Sequence, residues 1–291
     1  RSKRRMIEAG VPCVPGYEGD DQDDALFVRE ADRIGYPVMV KASAGGGGRG
    51  MRLVHDRSDL AAALVSARSE AKNAFGDDRL LLERAVVDAR HVEIQVFGDR
   101  FGSVVHLGER DCSVQRRHQK VIEEAPSPAV DEDLRRRMGD AAVRAAAAID
   151  YVGAGTVEFL LGKDGEFYFL EMNTRLQVEH PVTECVTGID LVDLQIDVAA
   201  GLPLPFAQDD ISISGHAIEV RFYAEDPRQE FLPQTGVASI WQPATGDGVR
   251  IDHGLVTGQV ISSCYDPMIA KIIATGANRD EALRRLVQAV R

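Results

Sequence analysis

Cysteine is scarce and scattered. Only Cys13, Cys112, Cys185 and Cys264 occur among 291 residues, with no C-x-x-C spacing. Neither a zinc site nor a disulfide framework is indicated, and a reducing compartment is expected. No apolar run is long enough to cross a bilayer, which excludes a membrane-spanning helix. Positive charge is also lacking: the formal net charge is -12, the wrong sign for the basic footprint of a nucleic-acid-binding protein. Lysine is rare, with only Lys3, Lys41, Lys72, Lys120, Lys163 and Lys271, so each one is informative. There is no internal repeat and no signal-peptide pattern. The chain opens without Met inside an apparent helix and stops at Arg291 inside another, so a piece of a longer protein is expected.

The length suits roughly two domains, and 44% hydrophobic with 27% charged residues is a globular composition. The run Glu171-Met172-Asn173-Thr174-Arg175-Leu176-Gln177-Val178-Glu179-His180 draws attention first. If extended, it sets Glu171, Asn173, Arg175, Gln177 and Glu179 on one face, opposite Met172, Leu176 and Val178. Burying such a polar row is costly unless it holds a metal ion or an oxyanion.

Earlier in the chain, a strand over 36–41 ends in Lys41 and leads into Gly45-Gly46-Gly47-Gly48-Arg49-Gly50, after which 51–54 reads as a second strand. The glycines satisfy G-x-G-x-x-G, but the dinucleotide fingerprint needs a helix next. There is no G-K-[ST] ending either. Strand, glycine loop and strand suit a flap whose bare amides approach phosphates closely. A helix capped by Ser58 is predicted to Phe75, burying Leu60, Leu64 and Ala67. Strands follow over 79–83 and 90–97, the second alternating His91, Glu93 and Gln95 with Val92, Ile94 and Val96. The segment 110–120 concentrates positive charge and reads as an anion clamp or a solvated loop.

A helix over 131–149 precedes a hairpin in which 156–161 and 166–171 flank the turn Gly162-Lys163-Asp164-Gly165. Even closure sets Glu158 opposite Phe169 and diagonal to Glu171, close enough for both carboxylates to share a cation. Hard oxygens on adjacent strands suit Mg²⁺. A helix is predicted from about Gly188 to Ala200 with Leu191, Leu194 and Val198 inward, then a linker over 201–205. Strands are predicted over 215–225, 237–241, 249–252 and 268–274. The pattern Asn278-x-x-Glu281 opens the last helix.

The runs Lys41 to Arg52, Glu109 to Lys120 and Glu171 to Glu184, with His216 to Arg221 and Tyr265 to Met268, together closely resemble biotin carboxylase, the ATP-grasp component of the biotin-dependent acyl-CoA and pyruvate carboxylases, and an acyl-CoA carboxylase is expected. The resemblance covers nearly the whole chain. It implies an α+β protein: an ATP-grasp domain over 1–205 with a glycine-rich lid at about 13–86, then an incomplete, mainly antiparallel β C-terminal domain over 206–291. The family's nucleotide-fold domain would precede residue 1. It also implies that Lys41, Gly46, Gly47, Gly48, Glu83, Val86, His91, Gln115, His118 and Leu160 bind ATP. Glu158, Glu171 and Asn173 would hold Mg²⁺ or Mn²⁺, while Lys120, Arg175, Gln177, Val178 and Glu179 handle bicarbonate and the transferred phosphate. Arg221 would face biotin.

The implied reaction is attack of bicarbonate on the γ-phosphate to give carboxyphosphate, then carboxylation of biotin. No Met-Lys-Met sequence occurs, so biotin is expected on a separate carrier domain, with a carboxyltransferase subunit as further partner. A homo-oligomer is expected at full length, in bacterial cytoplasm or the mitochondrial matrix, without nucleic acid or membrane. Two other readings stay open: an ATP-grasp ligase joining a carboxylate to an amine, and a nucleotide-binding fragment without catalysis. A protein kinase fits poorly, since Lys41 precedes the glycines and no Asp-Phe-Gly follows.

Overall fold

The structure, a computed structural model, describes residues 2–44, 50–117 and 119–291. Gly46, Gly47, Gly48 and His118 lie outside the described residues. The chain divides into two units. One comprises Pro12–Ala89 and Leu160–Phe169, the other Arg1–Val11, Arg90–Phe159 and Leu170–Arg291.

In the smaller unit, β1 (Gly16–Tyr17), β2 (Val38–Ala42), β3 (Met51–Val54) and β4 (Leu80–Arg84) form an antiparallel sheet in the order β1-β4-β2-β3. Val38 and Val40 alternate with Met39 and Lys41, so one face of β2 is buried against α2 (Asp24–Ile34) and α3 (Arg57–Phe75). Phe27, Leu60, Leu64, Leu80 and Leu82 complete that core. The other face carries Lys41 and Glu83.

An eight-stranded sheet, in the larger unit except for the stretch 160–169, contains β5 (Arg90–Gly98), β6 (Val104–Arg116), β7 (Gln119–Ala125), β8 (Gly153–Leu161), β9 (Phe167–Asn173) and β10 (His216–Tyr223). The strands Val249–His253 and Met268–Gly276 extend it beyond β10, in the order Val249–His253, Met268–Gly276, β10, β7, β6, β5, β8, β9. Strands from both sides of residues 205 and 206 share this sheet, because β10 pairs with β7. On one face α4 (Glu132–Ala147) covers β5 and β6, and α5 (His180–Thr187) packs against β10, β7 and β6. The helix α6 (Leu191–Ala199) buries Leu191, Leu194 and Val198 against Phe97, Val105 and Leu107. The last helix, α7 (Arg279–Val290), packs Ala282 and Leu286 on Ile218, Ile272 and Ala274. Its cap is the predicted one: Asn278 accepts from the Glu281 amide at 3.0 Å, and Glu281 reaches back to the Ala277 amide at 2.7 Å.

Several local expectations change. The extended run ends at Asn173, and the chain then turns through a loop into α5, with Glu179 at its N-cap. A helix beginning His-Pro at its first positions is favoured by the fixed φ of proline. The helix expected from Gly188 starts at Leu191, because Asp190 caps it by accepting from the Val192 and Asp193 amides. Asp56 rather than Ser58 precedes α3. Of the strand expected over 237–241, only Gly236–Val237 forms, pairing with Val260–Ile261. The basic stretch after Arg110 is mostly a strand hairpin, with Gln115 opposite Lys120, rather than a solvated loop.

Candidate active site

Each unit brings its own residues together. In the smaller unit the antiparallel register sets Lys41 opposite Leu81 and Met39 opposite Glu83, so Lys41 and Glu83 share a face. Lys41 Nζ lies 2.5 Å from Glu83 Oε2. A little further along, half-buried Val86 joins Arg84, Ala85, Gly162, Lys163 and Tyr168 around an open cleft of about 290 Å³. Leu160 is half-buried in the same unit.

In the larger unit, charge is concentrated between strands. Lys120 Nζ sits 2.5 Å from Glu93 Oε2, 2.7 Å from Glu179 Oε1 and 2.9 Å from Glu158 Oε1. An ammonium has three donors, and here each meets a different carboxylate. Arg221 bridges one of these to a fourth carboxylate: Nε to Glu123 Oε1 at 2.6 Å and Nη2 to Glu179 Oε2 at 3.1 Å. Glu179 is therefore buried with a cation at each oxygen. Asn173 Nδ2 and Gln177 Nε2 both donate to Glu158 Oε1, at 2.9 and 3.3 Å. Of the polar row, Asn173, Gln177 and Glu179 meet around Glu158 and Lys120, and a loop rather than a strand delivers Gln177 and Glu179. Gln177 Oε1 is buried without a hydrogen-bond partner among the described residues, an acceptor suited to a ligand hydroxyl. Val178 offers its carbonyl to Lys271 Nζ at 2.7 Å. Gln115 donates to the Cys112 carbonyl at 2.8 Å. Glu171 and Arg175 are exposed, and Arg175 donates only to the Leu176 carbonyl at 3.3 Å among described contacts.

Below this layer lies a residue that sequence reading placed in an anion clamp. Arg110 is wholly buried, donating to Glu93 Oε1 and Gln95 Oε1 at 2.7 Å, Thr183 Oγ1 at 2.9 Å and Thr156 Oγ1 at 3.1 Å. Glu93, Arg110, Glu123, Glu219 and Lys271 were not identified as site residues from the sequence. The available signal was the placement of Glu93 and Gln95 between Val92, Ile94 and Val96: both faces of β5 are buried, so its polar face needed partners.

Burial opposes ionisation of Glu93, but Arg110 and Lys120 outweigh it and hold the carboxyl well below the usual range. Burial also opposes charging of Lys120, and Glu93, Cys112 and Glu179 override it upward. For His91, burial would lower the value, yet Glu158 and Glu93 push it up to about 9. Nε2 lies 3.0 Å from Glu158 Oε2 but off the direction of a formed hydrogen bond, so the upward direction rests on charge attraction, which needs no linear alignment. Since the folded value lies above the ordinary 6.5, His91 contributes stability fully below that pH and loses it between about 6.5 and 9. Metal-free protein is expected to lose stability across that window, and His91→Gln to flatten the loss. Urea unfolding at several pH values checks this; an unchanged slope in the variant would refute it.

His91, Glu93 and Glu158 place ligand atoms within 4.8 Å of one another. Glu93, however, is already neutralised by Arg110 and Lys120. Glu158, which also faces Lys120, could hold a cation together with Asn173 and exposed Glu171 on the adjacent strands β8 and β9. These are hard oxygens of the kind Mg²⁺ takes, an ion that draws its remaining ligands from water and phosphate. The Asn173 amide contact already directs that side chain at Glu158, and its oxygen and nitrogen can exchange by a flip.

Residues 1–207 match a family profile described as the carbamoyl-phosphate synthase L chain ATP-binding domain, and 219–291 match the biotin carboxylase C-terminal domain. The chain is 54% identical over 290 residues to the mitochondrial methylcrotonoyl-CoA carboxylase subunit alpha of Dictyostelium discoideum, covering 99% of this chain and 42% of that protein. It is 51% identical to the biotin carboxylase of a Nostoc species, covering 100% of this chain and 65% of the relative. A biotin carboxylase-beta-gamma-ATP complex from Campylobacter jejuni superposes with a TM-score of 0.92 at 47% identity, over 99% of this chain and 64% of that one. The biotin carboxylase domain dimer of Hydrogenobacter thermophilus 2-oxoglutarate carboxylase, in complex with MgADP, ADP and bicarbonate, gives 0.90 at 46%, over 99% and 64%. The chain thus spans less than two thirds of each of these relatives.

Proposed function

Because the chain belongs to the biotin carboxylase family, an ATP-binding domain leading into the family's C-terminal domain, we propose that it forms the carboxylating site of a biotin-dependent carboxylase. ATP and bicarbonate are the substrates, and biotin on a carrier domain is the acceptor. The observation that supports this most is Glu179, buried between Lys120 at 2.7 Å and Arg221 at 3.1 Å.

Phosphoryl transfer is catalysed mainly by positioning and charge neutralisation. Lys41 and the glycine loop would hold the ATP phosphates, with Glu83, Val86, His91, Gln115, His118 and Leu160 around the nucleotide. Exposed Arg175 can grip bicarbonate with two parallel hydrogen bonds, and Gln177 Oε1 can accept its hydroxyl. Glu179 takes the bicarbonate proton as a bicarbonate oxygen bonds to the γ-phosphorus and the bond to ADP breaks. The resulting carboxyphosphate then gives its carboxyl group to the biotin ureido nitrogen, and the phosphate released takes up the proton that the nitrogen loses. Arg221 faces the oxyanion of deprotonated biotin. Glu158, Glu171 and Asn173 would hold Mg²⁺, which supplies charge neutralisation at the phosphates. The carrier domain, a carboxyltransferase subunit, homo-oligomerisation and a cytoplasmic or mitochondrial location belong to the same reading. Among the described residues no helix is long and apolar enough to cross a membrane.

In the full-length protein containing this chain, ADP formation is expected to require bicarbonate and to rise with free biotin. Dependence on ammonia or an amino acid instead would establish the carboxylate-amine ligase reading. Calorimetry tests the metal: Glu171→Gln is expected to weaken Mg-ATP binding roughly tenfold, a single charge-assisted contact being worth about 1.5–3 kcal/mol. Equal affinity in both proteins would remove Glu171 from the metal site.

A further inference from the structure

Beneath Arg221 lies a second carboxylate that the reaction above leaves without a task. Glu219 is fully buried on β10, and neither of its oxygens has a hydrogen-bond partner. The antiparallel register sets it directly opposite Glu123 on β7, so both side chains leave the same face of the sheet with Cβ atoms about 4.5–5.5 Å apart. Glu123 is also fully buried, and its Oε2 is likewise unpartnered while Oε1 accepts from Arg221. Two carboxylates cannot bond each other without a hydrogen between them, and two buried like charges at that separation repel strongly.

Among the described residues no side chain hydrogen-bonds to Glu219, although the charges of Lys271 and Arg221 act on it. Across the opposite strand its neighbour is Ile273. Lys271, one pair further along, gives its ammonium to the Val178 carbonyl at 2.7 Å and faces Asp252 at 3.5 Å. Arg250 binds Asp252 and Glu184. From α5 and its cap come Glu179, His180, Glu184 and Cys185. His180 Nδ1 is 2.7 Å from the Gln177 carbonyl, its Nε2 is 3.9 Å from Glu184, and Glu179 is taken by Lys120 and Arg221.

We propose that Glu219 is held as the neutral acid and donates its hydroxyl hydrogen to Glu123 Oε2, so that the pair carries one negative charge and positions Arg221. The proton belongs to Glu219 because Glu123 alone has a guanidinium at 2.6 Å. Burial pushes both carboxyls upward: Glu123 to about 7, where Arg221 opposes the rise, and Glu219 well above its ordinary value. Arg221 then spans a fixed single charge at Glu123 and the base Glu179. Ionising Glu219 would add a second charge and draw Arg221 away from Glu179. Glu219 is thus a positioning residue for the proposed carboxylation and rests on that reading for its consequence, though not for its protonation.

Two measurements test this. In the chain itself, infrared difference spectra of wild type and Glu219→Gln at neutral pH are expected to show a protonated-carboxylic-acid carbonyl band lost in the variant. Absence of that loss overturns the proposal, whatever reaction the protein catalyses. In the full-length protein, Glu219→Leu leaves Glu123 Oε2 without a donor and is expected to raise KM for biotin roughly ten- to a hundredfold. Glu219→Gln, whose amide replaces the donor, is expected to restore most of that loss and to move the alkaline limb of the pH profile upward. If Gln is as impaired as Leu, or the alkaline limb stays in place, Glu219 has no positioning role.

Discussion

Glu179→Gln is expected to lower bicarbonate-dependent ADP formation in the full-length protein by roughly a hundredfold to ten-thousandfold, the usual contribution of a positioned base. The substitution keeps shape and hydrogen-bonding capacity but removes both the proton acceptor and the charge between Lys120 and Arg221. Mg-ATP binding should survive, because the nucleotide contacts assigned to Lys41, Glu83 and Val86 belong to other elements. Steady-state kinetics read beside ATP calorimetry separate the two effects. Activity within a few-fold of wild type would remove Glu179 as the base, and loss of ATP binding would show that the substitution disturbs more than the proton transfer. Added bicarbonate should not rescue the variant, since the missing step follows binding.

The largest stability effect is expected at Arg110. Replacing it with Leu leaves Glu93 with Lys120 and the more distant His91, and strips partners from Gln95, Thr156 and Thr183, all buried. Breaking a buried ion pair by deleting one member costs about 3–5 kcal/mol, because the surviving charge is uncompensated. Urea unfolding of this chain should show the midpoint fall with little change of slope. A loss below about 1 kcal/mol would mean that Lys120 and water satisfy Glu93 unaided. Arg110→Lys should recover only part of the loss, since one ammonium cannot reproduce a planar fork that contacts four side chains.

These two residues differ in how they could be read. Glu179 lies in a motif whose order along the chain carries the family resemblance, and the same is true of Lys120, Arg175 and Arg221. Arg110 lies in such a motif too, but nothing local distinguishes a fully buried arginine from its exposed neighbour Arg117. The helix at Arg57–Phe75 was legible from apolar spacing and that at Arg279–Val290 from its capping residues, because those signals act within a turn or two. The loop after Asn173 was not, since alternation of polar and apolar residues persists there although the backbone turns toward α5.

By itself the sequence determined the elements held by local forces: the hairpin turn at 162–165, the amphipathic helices, the glycine-broken strand pair and the ordered motifs that identify the family. Only the tertiary structure decided which charges meet. Glu93, Lys120, Glu158, Glu179 and Arg221 come from separate elements, and their contacts depend on strand order and register, where a slip of one residue would turn each side chain to the opposite face. The facing of Glu219 and Glu123 is of the same kind. Their shared proton follows from the exclusion of water at a strand pairing that neither segment specifies alone.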